Sequence, residues 1–205
     1  LANSLTHGFG LAASVVGGVV LVVMAWLHGN GWHVAGCAVF STTLVLLYAA
    51  STVYHMVHCP RKKEFFRLAD HSCIYLLIAG SYTPFTLTIL RGGVGWTLFA
   101  LAWGLALAGI TFKALFRDRF PIVSVAGYLA MGWMLVVFGL QPLLENLPSG
   151  GILWLVVGGL SYTGGVLFFA WERLPHNHAI WHLFVMGGSA CHYLAVMLYL
   201  LPAKP

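Results

Sequence analysis

Residues 6–28 read THGFGLAASVVGGVVLVVMAWLH, without one Asp, Glu, Lys or Arg. A helix needs roughly 20 apolar residues to cross a hydrocarbon core of about 30 Å, so this stretch predicts a transmembrane helix. The rest of the 205 residues repeats the pattern. Apolar runs broken by Gly, Pro and charge predict further helices near 33 to 57, 67 to 90, 95 to 116, 121 to 143, 151 to 171 and 178 to 201. The expected fold is an all-α membrane protein, a seven-transmembrane helix bundle that forms one domain over residues 1–205. Composition agrees, since 60% of residues are hydrophobic and 7% charged, against about 25% charged in soluble domains. The short connections leave no room for a soluble domain. The glycine pairs Gly158-Gly159 and Gly164-Gly165 in the sixth run suit close helix approach.

The formal net charge is +5, but the basic residues lie in separate connections, which makes them a topology signal and not a nucleic-acid stripe. Arg61, Lys62, Lys63 and Arg67 precede the third span, Lys113, Arg117 and Arg119 follow the fourth, and Arg173 follows the sixth. The opposite connections contribute Arg91 alone. By the positive-inside rule the N-terminus is expected in the cytoplasm and the C-terminus, with Lys204, outside. No basic segment precedes the first apolar run, so no cleavable signal peptide is expected. The opening on Leu1 instead of Met suggests that residues are missing upstream. Cys37, Cys59, Cys73 and Cys191 form no CxxC pair and lie in or beside apolar runs, which predicts buried free thiols.

Ionisable groups at a membrane boundary are costly and need a partner or a water-filled cavity. His55 ends the second predicted span, Asp70 opens the third, and His178 and His182 open the seventh. The charge-derived topology puts all four at the cytoplasmic face without having used them. His178 and His182, four residues apart, share one helix face. Two imidazoles one turn apart suit zinc at about 2.0–2.1 Å, and His55 is the best-placed third nitrogen. Three neutral histidines leave a fourth tetrahedral position open, as in catalytic zinc sites. Ser51 stands one turn before His55, and Asp70 is either a fourth ligand or, a better use of a carboxylate, the group that holds a water at that open position.

Each group also has an ordinary reading. Paired histidines in a helix commonly snorkel or hydrogen-bond, Asp70 could pair with Arg67 one turn earlier, and Ser51 could simply pack. His7, His28, His33 and His176 fall near span ends, where a histidine needs no special partner. His58 and His71 neighbour the candidate site, while His192 is too far along the last span to join it. Asp118 and Glu172 read as solvated loop charges beside Arg117, Arg119 and Arg173. Pro84 should kink the third span.

These residues resemble the hemolysin III branch of the progestin and adipoQ receptor family, which includes the adiponectin receptors. Asn3-Ser4-Leu5-Thr6-His7 is similar to the family's opening N-x-x-T-H segment, Ser51 through His55 to its S-x-x-x-H motif, and Leu68-Ala69-Asp70-His71 to the start of its third helix. His178 through His182 matches its H-x-x-x-H motif. The resemblance implies zinc held by His55, His178 and His182, with Asp70 contacting through water and Ser51 nearby. It also implies an N-terminus-in topology in a cell membrane, the inner membrane for a bacterial chain, and kinship with alkaline ceramidases. No long receptor-type N-terminal region precedes the motifs, which weighs against hormone binding.

Three functions compete. The first is a zinc-dependent hydrolase of a lipid amide or ester bond, with Asp70 and Ser51 as catalytic groups and a membrane lipid or fatty acid as the bound partner. The second is a receptor or sensor of membrane state with a structural zinc. The third, a pore-forming hemolysin, ranks last because the chain is apolar throughout and lacks a soluble-to-membrane switching segment.

Overall fold

The computed structural model describes residues 1–201, so Lys204 lies outside the described residues. Among the described residues eight α-helices follow one another: α1 (Ala2–His28), α2 (Gly31–Met56), α3 (Pro60–Leu87), α4 (Gly93–Phe116), α5 (Pro121–Phe138), α6 (Leu140–Asn146), α7 (Ser149–Ala170) and α8 (Asn177–Ala195). A π-helical turn, Val196–Leu200, ends the last of them. There is no strand among the described residues.

Local chemistry accounts for the boundaries. The Asn30 side chain accepts from the Trp32 and His33 amides and starts α2. Pro60 and Pro121 open α3 and α5, at a position where the missing N–H costs nothing. Gly92, at φ +153°, makes the turn into α4 in a conformation few other residues tolerate.

Six of the helices are long and apolar enough to cross a membrane: α1, α2, α4, α5, α7, and α8 continued to Leu200. Their outward faces carry Val16, Leu107, Ile122, Val137 and Leu167, all more than 60% exposed, as befits a surface that meets lipid. The chain is therefore an integral, multi-span membrane protein. Helix α3 has ample length at 28 residues but is less apolar, because it buries Asp70, Tyr82, Thr83 and Thr86 against its neighbours.

Two boundaries differ from the reading of the sequence. The basic string Arg61–Glu64, expected in a loop, forms the first turn of α3, since Pro60 initiates the helix and Arg, Lys and Glu are good helix formers. The fifth apolar run is broken at Gly139 into α5 and α6. Pro142 explains the break: its ring would meet the Phe138 carbonyl four residues back, and it has no N–H to give. A second disturbance lies one turn earlier. The Tyr82 hydroxyl donates to the Met131 carbonyl at 2.7 Å and accepts from the Leu135 amide at 3.0 Å, so a side chain stands inside the α5 ladder. Pro84 lies in the last turn of α3, where the helix ends at Leu87.

The helices pack in sequence from α1 to α4, α5 leans on α3, α4 and α7, and α8 closes the ring against α7 and α1. The α7–α8 seam is close because a Cβ on Gly165 would come within 2.7 Å of Phe184 and one on Gly158 would strike His192. Tyr48 and Tyr162 both reach Ser189, at 2.8 and 2.9 Å, and tie α2 and α7 to α8.

Candidate metal centre

The end of α2 and the start of α8 bring His55, His178 and His182 together. One ring nitrogen of each lies within 4.8 Å of the others, a set able to hold a metal ion. The rings stand at steep angles, with centroids 4.6 Å apart for His178 and His182 and 5.0–5.1 Å for His55 with either. His182 is 1% exposed. Its Nδ1 lies 3.2 Å from the Asn3 carbonyl, which can only accept, and 3.0 Å from the Thr6 hydroxyl, which already donates to the Ala2 and Asn3 carbonyls. Nδ1 therefore carries the proton, and Nε2 keeps the lone pair a metal would use. His55 Nε2 is buried with no hydrogen-bond partner.

Asp70 and Ser51 face the same space. Asp70 is 7% exposed and Ser51 1%. The Ser51 Oγ is buried and makes no hydrogen bond. Both residues line a partly open cavity of about 250 Å³, together with His178 and His182. From this polar head the cavity runs between α3, α5, α7 and α8 past Ile74, Leu129 and Val185 to Phe85, Leu140 and Ile152. The fifteen residues from Asp70 to Phe85 correspond to about 22 Å of helix. His192 lines its far part, away from the cluster as its spacing required.

Several readings of individual residues change. His7 is no interfacial bystander: it is 4% exposed, stacks on His182 with centroids 3.5 Å apart, and neither of its nitrogens has a partner. Its contact lies 175 positions away in sequence, and only the Thr6-His7 pair of the opening motif hinted at it. Asp70 does not pair with Arg67, whose guanidinium instead meets Asp118 at 2.8 Å. Asp118 is no isolated loop charge, since it also accepts from the Lys113 ammonium at 3.0 Å. Lys113 is 3% exposed and sits in the last turn of α4, not in a solvated connection. Burial acts to raise the Asp118 pKa, but the Lys113 hydrogen bond and the charges of Lys113 and Arg67 outweigh it and hold the carboxyl below its ordinary range. His71 also lines the cavity, with Nδ1 3.7 Å from Asp118, whereas His58 is exposed on the surface. Of the cysteines, Cys37 and Cys73 are buried free thiols as expected, while Cys59 is exposed.

The haemolysin-III-related family model matches residues 1–193. The chain belongs to that family, the hemolysin III branch of the progestin and adipoQ receptor family. It is 47% identical over 202 residues to Hemolysin-3 of Bacillus cereus, covering 98% of this chain and 92% of that one. It is 31% identical over 216 residues to the human monocyte to macrophage differentiation factor, covering 97% and 83%. Heptahelical transmembrane protein 1 of Arabidopsis thaliana shares 27% identity over 176 residues, 74% of this chain and 52% of the plant protein. No solved structure matches the chain.

Proposed function

We propose that this protein is a zinc-dependent hydrolase of an amide or ester bond in a membrane lipid, acting in membrane lipid homeostasis. The observation that carries the reading is the convergence of three imidazoles, two of which, His178 and His182, line the polar head of a long apolar cavity together with Asp70 and Ser51. The donor set fits zinc: three neutral imidazoles are a common catalytic ligand set, the His182 proton is held on Nδ1 by Asn3 and Thr6, and His55 Nε2 has no other partner. His55, His178 and His182 would hold the ion, which supplies a Lewis acid able to polarise a carbonyl and acidify a water.

The chain's own residues do the rest. The apolar walls receive an acyl chain, since the cavity's length of about 22 Å exceeds half of a core about 30 Å thick, the depth one leaflet provides. That places the acyl carbonyl at the histidines. The Asp70 carboxylate orients the attacking water, accepts its proton and returns it to the departing amine or alcohol. The Ser51 hydroxyl, buried and unpaired, donates to the oxygen on which negative charge develops.

The reading includes a topology. Helix α3 is a seventh span, polar because it carries Asp70 and is sheathed by other helices, and the name of the plant relative speaks for a heptahelical arrangement. Eight basic residues then lie on the cytoplasmic side with the histidine cluster, the N-terminus is inside and the C-terminus outside. For a chain with bacterial relatives, the membrane is the inner one.

The decisive experiment supplies purified, zinc-loaded protein with defined ceramides and phospholipids and measures free fatty acid. Release by wild type that disappears in Asp70→Asn with zinc retained supports hydrolysis. A fully zinc-loaded protein that turns over no lipid class leaves the sensor reading in its place.

A further inference from the structure

The cavity wall opposite the α8 histidines is made of charge. His71, Lys113 and Asp118 line both the long cavity and a small surface pocket bounded by Glu64, Arg67 and Arg117, so these three side chains separate the two. One carboxylate, Asp118, serves two cations, Lys113 at 3.0 Å and Arg67 at 2.8 Å. Glu64 does not relieve the imbalance, because it is taken by Arg117 at 2.8 Å. Within this ion-paired cluster one positive charge is left over, and the cavity's other carboxylate, Asp70, makes no ion pair with Lys113 or Arg67. Lys113 holds that charge in a buried position, with an ammonium that has three N–H donors and makes one hydrogen bond, to Asp118. A buried cation without a full counter-charge is expensive, and a cavity that opens onto it offers a place for the missing anion.

We propose that Lys113 at the cavity wall, backed by Arg67 in the surface pocket, forms a receptor for the acidic head group of an acyl lipid, a phosphate above all, whose chain lies in the cavity; Asp118 is the internal carboxylate that holds the two cations when no such lipid is bound. The proposal rests on the lipid reading of the cavity given above, but not on hydrolysis. A lipid with its chains along α3, α5 and α7 carries its head group to the same end as Asp70, one residue from His71. The anion joins Asp118 at the cations or displaces it, and in either case the charge surplus is neutralised. Selectivity for acidic over neutral lipids of the same chain length follows.

The test measures binding by native mass spectrometry in neutral detergent, with dioleoylphosphatidate, diolein and inorganic phosphate as probes. Wild type should bind the phosphatidate at least tenfold more tightly than diolein. Lys113→Met should abolish that difference, and Lys62→Gln, an exposed neighbour in α3, should keep it. Should Lys113→Met not fold, Asp118→Asn decides: with the internal competitor neutralised, the preference for phosphatidate should grow severalfold. Equal affinities for the two lipids in wild type, a preference that survives Lys113→Met, or no increase in Asp118→Asn would each overturn the proposal. Inorganic phosphate that competes as well as the lipid would show a free-anion site and overturn the lipid part. His178→Ala separates this inference from the hydrolase reading, because it should lose zinc and turnover while the phosphatidate preference persists.

Discussion

The two polar clusters that meet the cavity differ in how they are built. The histidine cluster draws on side chains without formal charge from α2 and α8, held by a hydrogen bond from His182 to the first turns of α1. The charged cluster draws on α3, α4 and the connection after α4, and is held by ion pairs through one carboxylate. A fixed spacing of four residues on one helix gives the first its geometry, and changing one member dismantles a site for an ion. The second is a set of replaceable electrostatic contacts, partly open to solvent at Asp118 and Arg67. One cluster is suited to chemistry at a single point, and the other to recognising charge.

Substitution should therefore hit the two clusters very unequally. His182→Ala or His178→Ala should abolish stoichiometric zinc, measured by metal analysis of purified protein, together with any lipid hydrolysis. Asp70→Asn should retain the metal and lose hydrolysis by about 10²–10⁴-fold, the range set by removal of a general base. A variant of Lys113 should leave zinc content unchanged. Parallel loss of zinc in Lys113→Met would mean that the clusters are one unit.

Thr6 sharpens the comparison at the next level. Thr6→Val removes the hydroxyl that accepts from His182 Nδ1 but keeps its shape. Zinc affinity in a chelator competition should fall about 10–100-fold, as for other partners that orient a ligating histidine. An unchanged affinity would assign the tautomer to the Asn3 carbonyl alone.

The same contrast explains what the sequence could reveal. Six spans were legible because each is a long apolar run, and the three histidines because two of them lie four apart and the third ends a span on the same membrane side. Where a feature depends on contacts between distant segments, no local pattern announces it. His7 earns its burial only when α1 docks on α8, and Lys113, at the end of the fourth predicted span, shows its burial beside Asp118 only in the fold. Asp118 lies between two arginines in sequence, yet its partners in the fold are Lys113 and Arg67. The break at Gly139 was hidden for a different reason: Leu140 to Leu144 remain apolar enough to prolong the run, although Pro142 forbids α5 from continuing through it.

Tyr82 offers a smaller effect that leaves both clusters intact. Tyr82→Phe removes the hydroxyl standing between Met131 and Leu135, and α5 can then close its own bond between those residues. A net change of about 1 kcal/mol or less is expected, because one set of hydrogen bonds replaces another. Thermal unfolding at unchanged zinc content measures it.

The smallest expected effect concerns pH and the charged cluster alone. The folded state depresses the Asp118 pKa below that of the unfolded chain. Its stabilising contribution is thus fully present above the ordinary carboxylate value of about 3.9 and is lost as pH falls through the lower folded value. The stability difference between wild type and Asp118→Asn should stay constant from pH 8 to pH 5 and shrink only under more acidic conditions. Solvent screening at this third-exposed carboxylate keeps the difference small, so it is best read as a paired comparison of melting temperatures at matched ionic strength. A difference that already collapses between pH 7 and pH 5 would mean that Asp118 is not held as an anion by Lys113 and Arg67, and the charge surplus at the cavity wall would have to be recounted.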